Sequence, residues 1–111
     1  MSAFDDLSRY ANTSAVYDGN IGIVRLHNTN IVRYEEEEGG RVITLDSGGW
    51  NTTTTKKRMN EAFKALGLRI RVYQENYRWY VSLGPAGNAQ FYDGMRLTQA
   101  FGSPHASVVP R

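Results

Sequence analysis

A chain of 111 residues suffices for one compact domain and leaves little room for a second. Its 41% hydrophobic and 22% charged residues are an ordinary globular composition. No apolar run nears the ~20 residues that span a bilayer, and the N-terminus lacks the basic-then-apolar order of a secretory leader. Zero cysteines exclude a disulfide framework and a thiolate metal site, and a net charge of +2 is too small to name a polyanion partner by itself.

In chain order, residues 1–20 read as an N-terminal extension or short helix, with Ser2 able to cap and Phe4, Leu7 and Tyr10 on one face. Asp18-Gly19-Asn20 is a turn. GIVRLHN (22–28) and NIVRYEEE (30–37) are rich in β-branched residues and read as strands. Gly39-Gly40 then leads into a third, RVITLDS (41–47). Met59, Ala62, Phe63 and Leu66 recur at i, i+3, i+4 and i+7, which predicts a helix over about 54–66, stopped by Gly67. LRIRVYQE (68–75) and YRWYVSL (77–83) alternate with period two around Asn76, and QFYDGMRL (90–97) gives a short strand or a hairpin at Asp93-Gly94. GSPHASVVPR (102–111) has no period and reads as a flexible tail. The expectation is an α+β domain over 21–101: one antiparallel sheet of five or six strands, with the central helix packed on one face. Open sheet edges leave a homodimer possible.

Charge is distributed unevenly. Residues 1–38 carry seven acids against three bases, whereas residues 39–111 carry ten bases against four acids. The stretch DSGGWNTTTTKKR precedes the helix and admits two readings. Gly48 and Gly49 permit positive φ, and a helix start exposes unpaired N–H groups, so with Lys56, Lys57 and Arg58 they would form a backbone anion cradle. The alternative is a strand-to-helix turn with a threonine N-cap and a solvated basic face. The spacing is not that of a P-loop. On the hairpin that follows, Arg69, Arg71, Tyr73, Arg78 and Tyr80 share the face turned away from the helix. Guanidinium groups among aromatic rings suit phosphates and bases. Cross-strand pairing with no ligand would use the same residues.

Glu35, Glu36, Glu37 and Glu38 alternate between faces if they lie on a strand, so they cannot converge on one metal ion; a solvated hairpin end is the plainer reading. His27 and His105 have no ligands at zinc spacing, and Ser47 lacks a nucleophile-elbow frame. No acid/base pair can be argued from spacing. The expectation is a protein without enzymatic activity, cofactor or metal.

The text NTNIVRY…ITLDSGGWNTTTTKKRMNEAF…YQENYRWYV…FYDGM resembles a group of small bacteriophage proteins. Their pattern runs Asn-Thr-x-Ile-Val, then Leu-x-Ser-Gly-Gly-Trp-x-Thr-x-Thr-Thr-Lys, then Arg-Met-Asn, and here it covers Asn28 to Leu97. The resemblance implies a phage accessory protein acting in the host cytoplasm. Two partners fit: DNA or RNA on the basic and aromatic residues, or a host defence or replication protein inhibited or redirected through Glu35 to Glu38.

Overall fold

The computed structural model describes residues 7–103 and 105–110. Within them the β-branched runs of the first half form a meander: β1 (Thr13–Tyr17), β2 (Ile21–Leu26), β3 (Thr29–Glu37) and β4 (Gly40–Leu45). Each pairs antiparallel with the next, with a register shift in β2 between Val24 and Arg25. Helix α1 (Thr53–Ala65) follows, then β5 (Arg71–Glu75), β6 (Arg78–Ser82), a 3-10 turn (Gly84–Ala86), β7 (Asn88–Gln90), β8 (Met95–Ala100) and β9 (Ser107–Val108).

The strands form two sheets, not one. A six-stranded sheet has the order β1-β2-β3-β4-β8-β9, and a three-stranded sheet has the order β5-β6-β7. The expected α+β domain, with a single sheet of five or six strands under a helix, is therefore overturned. The protein is mostly β, with nine strands and one α-helix among the described residues. The physical cause lies at 91–94. The apolar run read as one strand or hairpin breaks there, so β7 ends in the small sheet and β8 begins beside β4 in the large one. Gly94 donates its N–H to Leu45 O at 2.8 Å, and the Asp93 carboxylate takes the Ser47 N–H and hydroxyl, both at 2.7 Å. Asp93-Gly94 is thus a change of sheet and not a hairpin tip.

Strand β1 lies in the stretch read as an extension or short helix, and β9 lies in the stretch read as a loose tail. Residues 1–6 of the expected N-terminal helix fall outside the described residues; 7–9 form a 3-10 turn.

One hydrophobic cluster joins everything. Cross-strand neighbours share a face, so the registers place Val24, Val32, Leu45 and Met95 in one row and Tyr34, Ile43 and Leu97 in the next. Helix α1 sets Met59, Ala62 and Phe63 into this cluster, and Val72, Trp79 and Val81 of the small sheet belong to it as well. The helix therefore serves both sheets. Its start is fixed by Thr52, whose hydroxyl accepts from Thr55 N–H at 3.2 Å, and its end by Gly67 at φ +72°.

Candidate nucleic-acid interface

The geometry begins with Asn60. Strand β5 is an edge of the small sheet, and its Val72 peptide groups would otherwise be left open. The Asn60 side chain closes them: Val72 N–H donates to Oδ1 at 2.8 Å, and Nδ2 donates to Val72 O at 3.0 Å. An amide that offers one donor and one acceptor imitates a strand partner. One helical turn earlier, Lys56 Nζ donates to Gln74 Oε1 at 3.0 Å and lies 5.6 Å from the centre of the Trp79 ring. Helix and strand therefore run antiparallel, with a groove between them along the open edge of β5.

That groove has a volume of about 340 Å³ and is lined by Thr53, Lys56, Lys57, Asn60, Arg71, Val72, Tyr73 and Gln74. Three cations and no carboxylate line it. Among the described residues the one carboxylate–cation pair within 4 Å is Arg33–Glu35, at 3.9 Å, on the other sheet. Tyr73 and Tyr80 face each other across β5 and β6 and stack at 5.6 Å with planes 26° apart; the Arg71 guanidinium lies 5.7 Å from the Tyr73 ring.

The structure thus gathers Lys56, Lys57, Arg71 and Tyr73 from the sequence-derived set and places Tyr80 beside them through its stack. Arg78 is exposed on β6, opposite Glu75, and Arg69 is exposed ahead of β5. Arg58 is elsewhere: its guanidinium covers the Tyr10 ring at 3.7 Å. The sequence pattern does not single out Asn60. The available signal was an asparagine within a helix, a residue type that competes for backbone groups.

Gly48 and Gly49 do have positive φ, +62° and +82°. Their amides are already engaged: Gly48 N–H donates to Asp46 Oδ1 at 2.7 Å and Gly49 N–H to Ser47 Oγ at 3.2 Å. Trp50 N–H goes to Ser47 O at 3.0 Å. This loop is a strand-to-helix turn built on its own hydrogen bonds, and an anion would meet the Asp46 carboxylate there.

The acidic run behaves differently again. Glu35, Glu36 and Glu37 pair with Val42, Arg41 and Gly40, so they alternate between faces of the large sheet. Glu35 meets Arg33, and Glu36 accepts the Tyr34 hydroxyl. Tyr34 is buried, stacks on Tyr17 at 5.8 Å and carries Arg41 over its ring at 5.0 Å. Burial first, then the bond to Glu36, hold its phenol pKa well above the ordinary tyrosine value. No group of three or more metal-ligating side chains occurs among the described residues.

The fold and groove define a class: a small, mostly β protein whose helix-to-edge-strand groove is cationic. A family model for the Kyanoviridae Gp96 protein matches residues 2–98, and the chain belongs to that family of phage proteins. No curated protein and no solved structure matches it. No helix among the described residues is long and apolar enough to cross a membrane.

Proposed function

We propose that this phage protein binds nucleic acid along the groove between α1 and β5 and acts in the host cytoplasm, without catalysing a reaction. One observation carries the reading: Lys56, Lys57 and Arg71 converge on a groove with no carboxylate in its wall. Like charges held together cost electrostatic free energy, and a polyanion offsets that cost while releasing its counterions. Tyr73 and the Tyr80 stacked on it continue the wall as an aromatic surface. Of the four glutamates, Glu35 already meets a cation within the chain, Arg33.

The test is titration of labelled DNA and RNA at two salt concentrations. Lys56→Ala and Lys57→Ala should each weaken binding across sequences and lower the salt slope by about one. Lys64→Ala removes the same charge from an exposed position outside the groove and should matter less. Absence of binding at ~50 mM salt, where non-specific polyanion affinity is strong, would end the proposal. A host protein engaged through Glu35 to Glu38 would then be the reading to pursue.

A further inference from the structure

The β5–β6 hairpin turns through Asn76 and Tyr77, both left-handed, at φ +51° and +66°. Asparagine tolerates that region because its short polar side chain bonds locally; at the second position such turns strongly favour glycine. Here that position holds a tyrosine, and its side chain is 96% exposed. The ring gains nothing from burial, so no packing within the domain compensates for the backbone conformation. Strained residues of this kind cluster at functional sites.

The hairpin's direction says where the ring is. Asn60 meets Val72 and Lys56 meets Gln74, so β5 runs toward the N-terminal end of α1. Strand β5 ends at Glu75, one residue past Gln74, so the reversing turn Asn76-Tyr77 lies at the end of the small sheet nearest the N-terminal half of α1. The tip therefore lies at the same end of the molecule as the start of α1, beyond the Gln74 end of the cationic groove. Tyr73 and Tyr80, by contrast, are half-buried and each gives one ring face to the other. On the small sheet, the aromatic ring with both faces open is that of Tyr77.

We infer that Tyr77 is the base-stacking residue of a single-stranded nucleic-acid site whose phosphates lie in the α1–β5 groove. The inference rests on the groove reading above. An aromatic ring on a hairpin tip needs an unpaired base to stack on, so a duplex fills the groove but not the tip.

The experiment measures fluorescence anisotropy of a labelled oligo(dT) strand and of a labelled hairpin duplex, at ~50 mM salt, with the full chain. Tyr77→Gly should weaken oligo(dT) binding roughly tenfold and change duplex binding little, while Tyr77→Trp should keep oligo(dT) affinity. Glycine should also raise the thermal midpoint or leave it unchanged, since it relieves the turn. Wild-type affinity of Tyr77→Gly for oligo(dT), with Lys56→Ala still weakened, would overturn the role of Tyr77 and leave the groove standing. Equal loss on strand and duplex, or a lowered thermal midpoint in Tyr77→Gly, would make Tyr77 a structural residue and overturn it too. No binding of wild type to either probe would sink the groove reading and this inference together.

Discussion

The two sheets treat charge in opposite ways. On the six-stranded sheet Arg33 meets Glu35, Arg25 donates to His27 O at 3.2 Å, and Arg41 lies over Tyr34, whose hydroxyl donates to Glu36. Around the three-stranded sheet, Lys56, Lys57 and Arg71 line one groove with no carboxylate in it. Surface ion pairs contribute little to stability, so the difference has small weight in folding. Its weight is in recognition: on the large sheet Arg33 meets a carboxylate, whereas the cations of the groove meet neutral groups there, Lys56 at Gln74 and Trp79 and Arg71 at Tyr73, and keep their charge uncompensated in its wall. Each sheet stacks one tyrosine pair, Tyr17 with Tyr34 and Tyr73 with Tyr80; the small sheet adds Tyr77, fully exposed at its hairpin tip.

The comparison assumes one cooperative body, and Phe63 tests that most severely. It is fully buried in the cluster that contains residues of both sheets. Phe63→Ala should cost about 3–5 kcal/mol, and urea unfolding followed by far-UV and by tryptophan signals should remain a single shifted transition. Trp79 reports on the small sheet from within the cluster. Two separated transitions would mean that the sheets are independent units, and the contrast between them would become one between domains.

The Gly48-Gly49 turn feeds the helix that joins the sheets. A Cβ on Gly48 would overlap the Thr29 side chain in a backbone already at φ +62°, whereas a Cβ on Gly49 meets nothing within 4 Å. Gly49→Ala should cost about 1 kcal/mol from backbone conformation alone, and Gly48→Ala should cost more, because Thr29 must move as well. Thermal melts of the two variants decide it. Equal shifts would show that Thr29 yields freely.

Much of this was legible in the text, and the losses are specific. The helix stripe Met59/Ala62/Phe63 and the alternation in 68–83 depend on local period, and α1, β5 and β6 lie where that period puts them. Sheet membership is not local. Nothing in QFYDGMRL shows that 91–94 leaves one sheet for another, because the hydrogen bonds from Gly94 to Leu45 and from Ser47 to Asp93 reach across the chain. The groove was half legible. Lys56, Lys57, Arg71 and Tyr73 carry their chemistry in their names, but Arg58, two residues and about 200° round the helix from Lys56, covers Tyr10 instead. Tyr77 was visible as the wrong residue for a tight turn; only its exposure and φ turn that oddity into a candidate contact.

Asn60 sharpens the comparison at the groove floor. Asn60→Ala removes the partner of both Val72 peptide groups and should destabilise by about 1–3 kcal/mol. Asn60→Asp keeps an acceptor for Val72 N–H, loses the donor to Val72 O, and adds a carboxylate beside Lys56, Lys57 and Arg71. It should depress nucleic-acid binding more than the alanine variant does at equal folded fraction. The reverse order, measured by anisotropy, would say that the groove's charge is not what binds.

The smallest expected effect tests the self-contained side. Tyr34→Phe removes the hydroxyl that Glu36 accepts and should cost about 1 kcal/mol near neutral pH. Its pH dependence is more telling. Burial and the Glu36 bond raise the folded-state pKa of the phenol, so folded Tyr34 stays neutral where the unfolded chain's phenol, with a pKa of about 10, ionises. Its contribution is whole below pH ~10 and declines as pH rises above that, because the unfolded state then gains by losing a proton that the folded state keeps. The urea midpoint of the wild type should therefore fall more steeply between pH ~9 and ~11 than that of Tyr34→Phe, in which the other six tyrosines still titrate. Parallel curves would mean that Tyr34 meets solvent in the folded protein, and that the large sheet leaves its polar groups as open as the small one does.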